Sequence, residues 1–159
     1  MDGGKYMKKT IMILISIVLI ITTATGCFKK SMPFNGEISF HDISLTIPDD
    51  YIRDSTQSSD DFWVFEKGYY KKYILISRIP NEGVGEKALD YYVNSMSQVG
   101  AEVSSGTLNN VNCAFSEYTK DNTYCQEIYF VYKENDYAIA LRGGDKNDFE
   151  KLTKTINLN

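Results

Sequence analysis

A single histidine, three cysteines and a few paired acids are the residues of this chain that could do chemistry. His41 stands beside Asp42, so a Ser-His-Asp or Cys-His relay has only one possible base. Its place between two short apolar runs predicts a histidine in a turn or at a strand end. Cys113 and Cys125 lack CxxC spacing, and no metal site is expected from them. Asp49-Asp50 and Asp60-Asp61 could be hydrolytic carboxylates, but hydrolysis needs acids on opposite sides of a bond. Adjacent loop acids are expected to be solvated instead. DKNDFE, from Asp145, begins like a calcium loop but has Glu150 and Ile156 where Gly and Glu are required. It reads as an acidic helix N-terminus. Gly83-Val84-Gly85 lacks the Lys-Ser/Thr pair of a phosphate loop and reads as a flexible entry into a helix.

The stretch KGYYKKY is the surface candidate. Lys67, Lys71 and Lys72 interleave with Tyr69, Tyr70 and Tyr73 between two strand-like segments. Tyrosine offers large contact area at low entropic cost, and flanking cations suit an anionic polymer, a sugar or a protein partner. The competing reading is a solvated hairpin end whose lysines protect a sheet edge.

Cys27 stands apart. It follows IMILISIVLII, residues 11–21, in which Ser16 is the one polar residue. That run is too short to span a bilayer, which takes about 20 apolar residues. It suits the core of a secretory leader, with Lys8 and Lys9 as the basic flank and Met7 as the expected start. Ala24-Thr25-Gly26-Cys27 resembles the lipobox of bacterial lipoproteins, although Ala24 stands where Leu is commonest. The resemblance covers the leader only. It implies a diacylglyceryl thioether on Cys27, with fatty chains such as palmitate, and cleavage just before it. One acyl chain binds membranes marginally, whereas two hold firmly at about 0.8 kcal/mol per buried methylene. Lys29 and Lys30 would then lie beside anionic headgroups.

The expected organisation is a cleaved leader over residues 1–26, a lipidated tether over 27–36 and one domain over 37–159. The chain has 17 Lys and Arg against 21 Asp and Glu. Three of those lysines and one aspartate lie in the leader, so the mature chain carries 14 against 20, a net charge of −6. Such a balance argues against nucleic acid as a partner, because phosphate affinity rests on clustered cations. The 133 residues after cleavage suffice for one core.

Strand candidates are residues 37–40 and 43–47, the latter ended by Pro48-Asp49-Asp50, then 62–66 and 73–79. Ala88, Leu89, Tyr92, Val93, Met96 and Val99 recur at helical spacing, with Gly100 as the stop. Residues 101–107, 111–118, 123–132 and 136–142 read as strands of an antiparallel meander, with turns at Asn109-Asn110, Asp121-Asn122 and Asn135-Asp136. A turn at Asp121-Asn122 puts Cys125 opposite residues 115–118 and Cys113 opposite 128–130, too far apart for a disulfide. Free, buried thiols are expected. Phe149, Leu152 and Ile156 mark a last helix. Without regular βαβ alternation, the class is α+β: a mainly antiparallel sheet with one central and one C-terminal helix packed on it.

ISFHDISLTIPDDY, ALDYYVNSM, EIYFVYKENDYAIAL and DFEKLTKTI, in that order, resemble the α/β/α sandwich of PsbP-like proteins, named for the extrinsic accessory protein of photosystem II. The resemblance spans roughly residues 38–156 and rests on topology. It implies a mostly noncatalytic class of assembly or binding modules, and no cofactor is expected. The leading expectation is therefore a lipid-anchored protein on the extracytoplasmic face of the cell membrane. Its partners would be the bilayer, through Cys27, and an envelope protein or polymer. The alternative is a surface hydrolase with a noncanonical carboxylate site.

Overall fold

The computed structural model describes residues 34–68, 72–80, 85, 87–144 and 146–159. Cys27, Tyr69, Tyr70, Lys71 and Asp145 lie outside them. Among the described residues nine strands form one antiparallel system: β1 (Phe34–Phe40), β2 (Ile43–Arg53), β3 (Phe62–Lys67), β4 (Lys72–Pro80), β5 (Glu102–Leu108), β6 (Val111–Lys120), β7 (Thr123–Tyr132), β8 (Asn135–Arg142) and β9 (Asn157–Leu158). Helix α1 spans Lys87–Gln98 and α2 spans Lys146–Thr153. The order across the sheet is β1-β2-β3-β4-β8-β7-β6-β5, with β9 on β2. The α+β class and the antiparallel meander are as expected.

Two boundaries differ. β1 begins at Phe34, inside the stretch read as tether. β2 does not end at Pro48 but runs on to Arg53. The N–H of Thr46 donates to Thr155 Oγ1 (3.0 Å), away from β1, and Ser44 pairs β9 on that same side. Pro48 has the same parity, so its missing N–H falls on an open edge and costs no ladder bond. β2 then changes neighbours, meeting β3 at Ile52 and Arg53.

The expected turn at Asn135-Asp136 also moves. The register pairs Tyr132 with Asn135, which puts Lys133 and Glu134 in the turn at φ 45° and 60°. Core pairing decides this, because Phe130 must meet Tyr137, against which it stacks at 5.4 Å. A one-residue slip would send every side chain to the other face. Glu134 therefore occupies a left-handed conformation that glycine adopts more cheaply. Glu134→Gly should raise stability by about 0.5–1 kcal/mol, read as a higher urea midpoint with unchanged slope.

One sheet face meets β1, β2 and α2. Ile38, Phe40, Leu45, Ile74, Ile128, Phe130, Ile139, Phe149 and Leu152 form its core. The other face receives α1, which packs on β5, β6 and β7 through Ala88, Tyr92 and Met96. Val99, expected on this stripe, is 71% exposed. The helix has already ended. Gly100 at φ 81° donates to Ser97 O and Ala101 N donates to Met96 O, a pair of bonds that turns the chain out of the helix.

Cys113 and Cys125 are free and buried, as expected. Cys113 faces Phe130 and Cys125 faces Tyr118 across the ladder. Their odd separation along the sheet also puts them on opposite faces.

Candidate functional site

An open cleft of about 580 Å³ lies between β2 and α2. Gly36, Thr46, Ile47, Pro48, Asp49 and Lys67 form one wall, and Asp148, Lys151, Leu152 and Thr155 the other. The open edge of β2 creates it: beyond Ser44 no strand pairs that edge until Ile52 among the described residues. α2 covers only part of the gap. The hydroxyl of Thr155 donates to Leu152 O (2.8 Å) while accepting Thr46 N–H, so it clamps the end of α2 to β2. Both walls carry both signs of charge. Such a surface can match a polypeptide of mixed charge.

Lys67 bends back onto β2. Its Nζ donates to Asp49 O (3.1 Å), pairs with Asp50 (3.5 Å) and lies 5.5 Å from the Tyr51 ring centre. It thus forms part of the cleft wall. Lys72 opens β4 and is half-buried. Tyr73 corrects the expected basic-aromatic surface. It is 9% exposed, opposite Glu66 and Arg142 within the sheet, and cannot offer area to a partner. Burial pushes its phenol up, and the neighbouring Glu66 charge pushes the same way.

His41 sits in the β1–β2 turn at φ 54°, as its position predicted. Its Nε2–H donates to Asp60 O (2.7 Å) and lies 3.3 Å from Asp61 Oδ1. Arg78 grips the same Asp61 oxygen through Nε (2.8 Å) and Nη2 (2.7 Å). Asp42 accepts from Tyr137 (3.1 Å) and pairs with Lys133 (3.4 Å). These groups tie the β1–β2 turn to the 54–61 loop and to the β7–β8 turn. Asp60-Asp61 is therefore an anchoring point, with Asp61 held by a cation. Among the described residues, no cluster of three His, Cys, Asp or Glu could hold a metal ion.

One buried carboxyl escaped the sequence reading. Glu127 of β7 is buried beneath α1. It lies across from Ser116 of β6 and Ala140 of β8. Tyr92 of α1 stacks flat on Tyr129 (4.4 Å, 4°), and its hydroxyl shares a 2.7 Å hydrogen bond with Ser116 Oγ. Burial raises the Glu127 carboxyl to about 7, with Tyr92 pulling weakly the other way. Among the described residues its Oε1 has no hydrogen-bond partner. On the opposite face, Glu117 is held low, first by the Tyr124 hydroxyl (2.6 Å) and also by Lys146 (3.3 Å) and Gln126 (3.1 Å). One available signal was the pattern of β7: a carboxylate in a strand apolar on both faces has nowhere wet to go.

No family model matches the chain, and no curated protein does. Solved structures do. A crystal structure from Bacteroides thetaiotaomicron VPI-5482 is similar over 82% of this chain, with a TM-score of 0.52 and 13% identity. The match covers 49% of that protein, so the chain spans about half its length. The solution structure of cyanobacterial PsbP (CyanoP) from Synechocystis sp. PCC 6803 matches 87% of this chain and 99% of its own, with a TM-score of 0.51 and 14% identity. At such identities the likeness speaks for the fold alone: a mainly antiparallel sheet with two helices, consistent with a PsbP-like fold.

Proposed function

We propose that the chain is a lipoprotein, anchored through Cys27 to the extracytoplasmic face of the cell membrane, whose α/β/α sandwich binds an envelope partner without catalysis. The observation that carries this reading is Cys27 itself, placed directly after Ala24-Thr25-Gly26 and an apolar run with basic flank. Gly36 at the cleft comes nine positions after Cys27, and an extended chain of nine steps spans at most about 30 Å. Acylation would keep the cleft within that reach of the bilayer. Its mixed charges suit a protein surface better than an anionic polymer.

Cys27→Ala should move the protein from the membrane pellet to the soluble fraction or leave it with an uncut leader. Intact mass of the unsubstituted protein should show a diacylated cysteine at its N-terminus. A free thiol there, or unchanged retention and processing in Cys27→Ala, would refute the anchor. Binding is tested by a photo-crosslinking residue at Lys151 in native membranes. A single discrete adduct that disappears on reversing the charge of Asp49 supports the cleft, and turnover of a defined substrate by the purified protein would overturn the noncatalytic reading.

A further inference from the structure

A sheet of this kind has two outer edges, and natural proteins guard such edges with prolines, lysines, bulges or very short strands. Here the guarding is uneven. The β1 end has a register break between Phe34 and Gly36, with Gly36 at φ 143°. The open side of β2 has Pro48 and is partly capped by the two-residue β9. β5, the other end of the sheet, has none of these devices. Its sequence, EVSSGTL, contains no Lys, Arg or Pro, and its seven pairings with β6 run without a break. Among the described strands, none pairs with its outer side.

The register shows which backbone groups that outer side presents. Leu108 and Val111 close a two-residue turn, Asn109-Asn110, both at positive φ. The closing pair of such a hairpin is hydrogen-bonded, and bonded pairs alternate along the ladder. Leu108, Gly106, Ser104 and Glu102 therefore bond to β6, leaving Val103, Ser105 and Thr107 to point their N–H and C=O groups outward. Three donors and three acceptors stand in a row, centred on Ser105.

We propose that two copies of this chain join through β5, antiparallel, about a two-fold axis at Ser105. In that register Ser105 bonds its counterpart, while Val103 bonds Thr107 of the second copy and the reverse. Every outward group then finds a partner, so the edge is complementary to itself. The side chains agree with this register. Glu102, the one charge in β5, meets Leu108 of the second copy, so no like charges face each other. At the axis Ser105 meets Ser105 and Ser104 meets Gly106, and small side chains there let the backbones close. A symmetric interface of this kind uses the same patch twice. The inference does not depend on the anchor or the cleft.

The test uses the full chain. Cys113 and Cys125 are buried, so a thiol introduced on β5 is exposed where the native ones are not. Across a bonded antiparallel pair the Cα atoms lie about 5.5 Å apart, within disulfide range. Ser105→Cys should give a disulfide-linked dimer on mild oxidation in membranes. Thr107→Cys should not, because residue 107 lies four residues from its counterpart, about 13 Å. The unsubstituted chain controls for any thiol at Cys27. Ser105→Pro removes an N–H that the monomer does not use, and should halve the protein mass measured in detergent. A monomeric mass for the unsubstituted chain, equal coupling at 105 and 107, or coupling of the Ser105→Cys thiol to a different protein would each overturn the proposal.

Discussion

Between pH 4.5 and about 7 the domain should lose on the order of 3 kcal/mol of stability, and Glu127→Gln should remove most of that slope. The direction follows from proton binding. In the unfolded chain Glu127 has its ordinary value of 4.5, while burial in the fold raises it to about 7. The native state thus holds a proton that the unfolded chain has already released. The contribution is fully present below 4.5 and is lost as pH rises through about 7. Glu117, held low by Tyr124, Lys146 and Gln126, has the opposite sign. Its stabilisation is lost as pH falls, so the two carboxyls separate on the pH axis. Urea midpoints at pH 5 and pH 7.5 provide the measurement. Glutamine keeps the shape and stays neutral, so a slope that survives Glu127→Gln would show that another group titrates there.

The second large effect lies directly above that carboxyl. Tyr92→Ala should cost about 3–5 kcal/mol, the range for deleting a fully buried aromatic ring. It would remove the flat stack on Tyr129 and the middle of the three buried residues that hold α1 to the sheet. Tyr92→Phe should cost about 1–2 kcal/mol, because it keeps the ring and leaves Ser116 without its hydroxyl partner. A Tyr92→Ala loss below about 1 kcal/mol would mean that α1 is held elsewhere. Since Tyr92 also draws the Glu127 carboxyl down, the two substitutions should not be additive. Tyr92→Phe should move the Glu127 transition to higher pH.

What the sequence displayed and what it concealed divide along a physical line. Local patterns with one dominant cause were legible. The apolar period of Ala88, Tyr92 and Met96 marked α1, and Gly100 marked its end. Asn109-Asn110 and Asp121-Asn122 do form positive-φ turns, and from the second the partners of both cysteines followed. Features set by distant partners were not legible. Pro48 normally breaks a strand, and only the side on which Thr155 and β9 lie makes it harmless. Lys133-Glu134 became a turn because Phe130 and Tyr137 must meet, against the local preference of Asn135. Tyr73 read as a surface tyrosine from its lysine neighbours, yet ladder pairing carries it inside. The cleft needs the β2 edge and α2 together, segments about a hundred residues apart, and no linear pattern announces such a meeting.

Trp63, the one tryptophan, lies with the Arg53 guanidinium 3.9 Å from its ring centre and meets Phe40 in a T-shaped contact, 5.0 Å between ring centres. It packs against the core shared with β1 and β2, whereas the Tyr92–Tyr129 stack belongs to the face under α1. The molecule therefore contains two native optical reporters on opposite sides of one sheet. Indole emission follows the corner where β2 changes neighbours, and the part of the tyrosine near-ultraviolet dichroism that Tyr92→Phe alters follows the helix, apart from the Phe130–Tyr137 stack on the other face. Recording both in a single titration separates undocking of α1 from opening of that corner, with no label added.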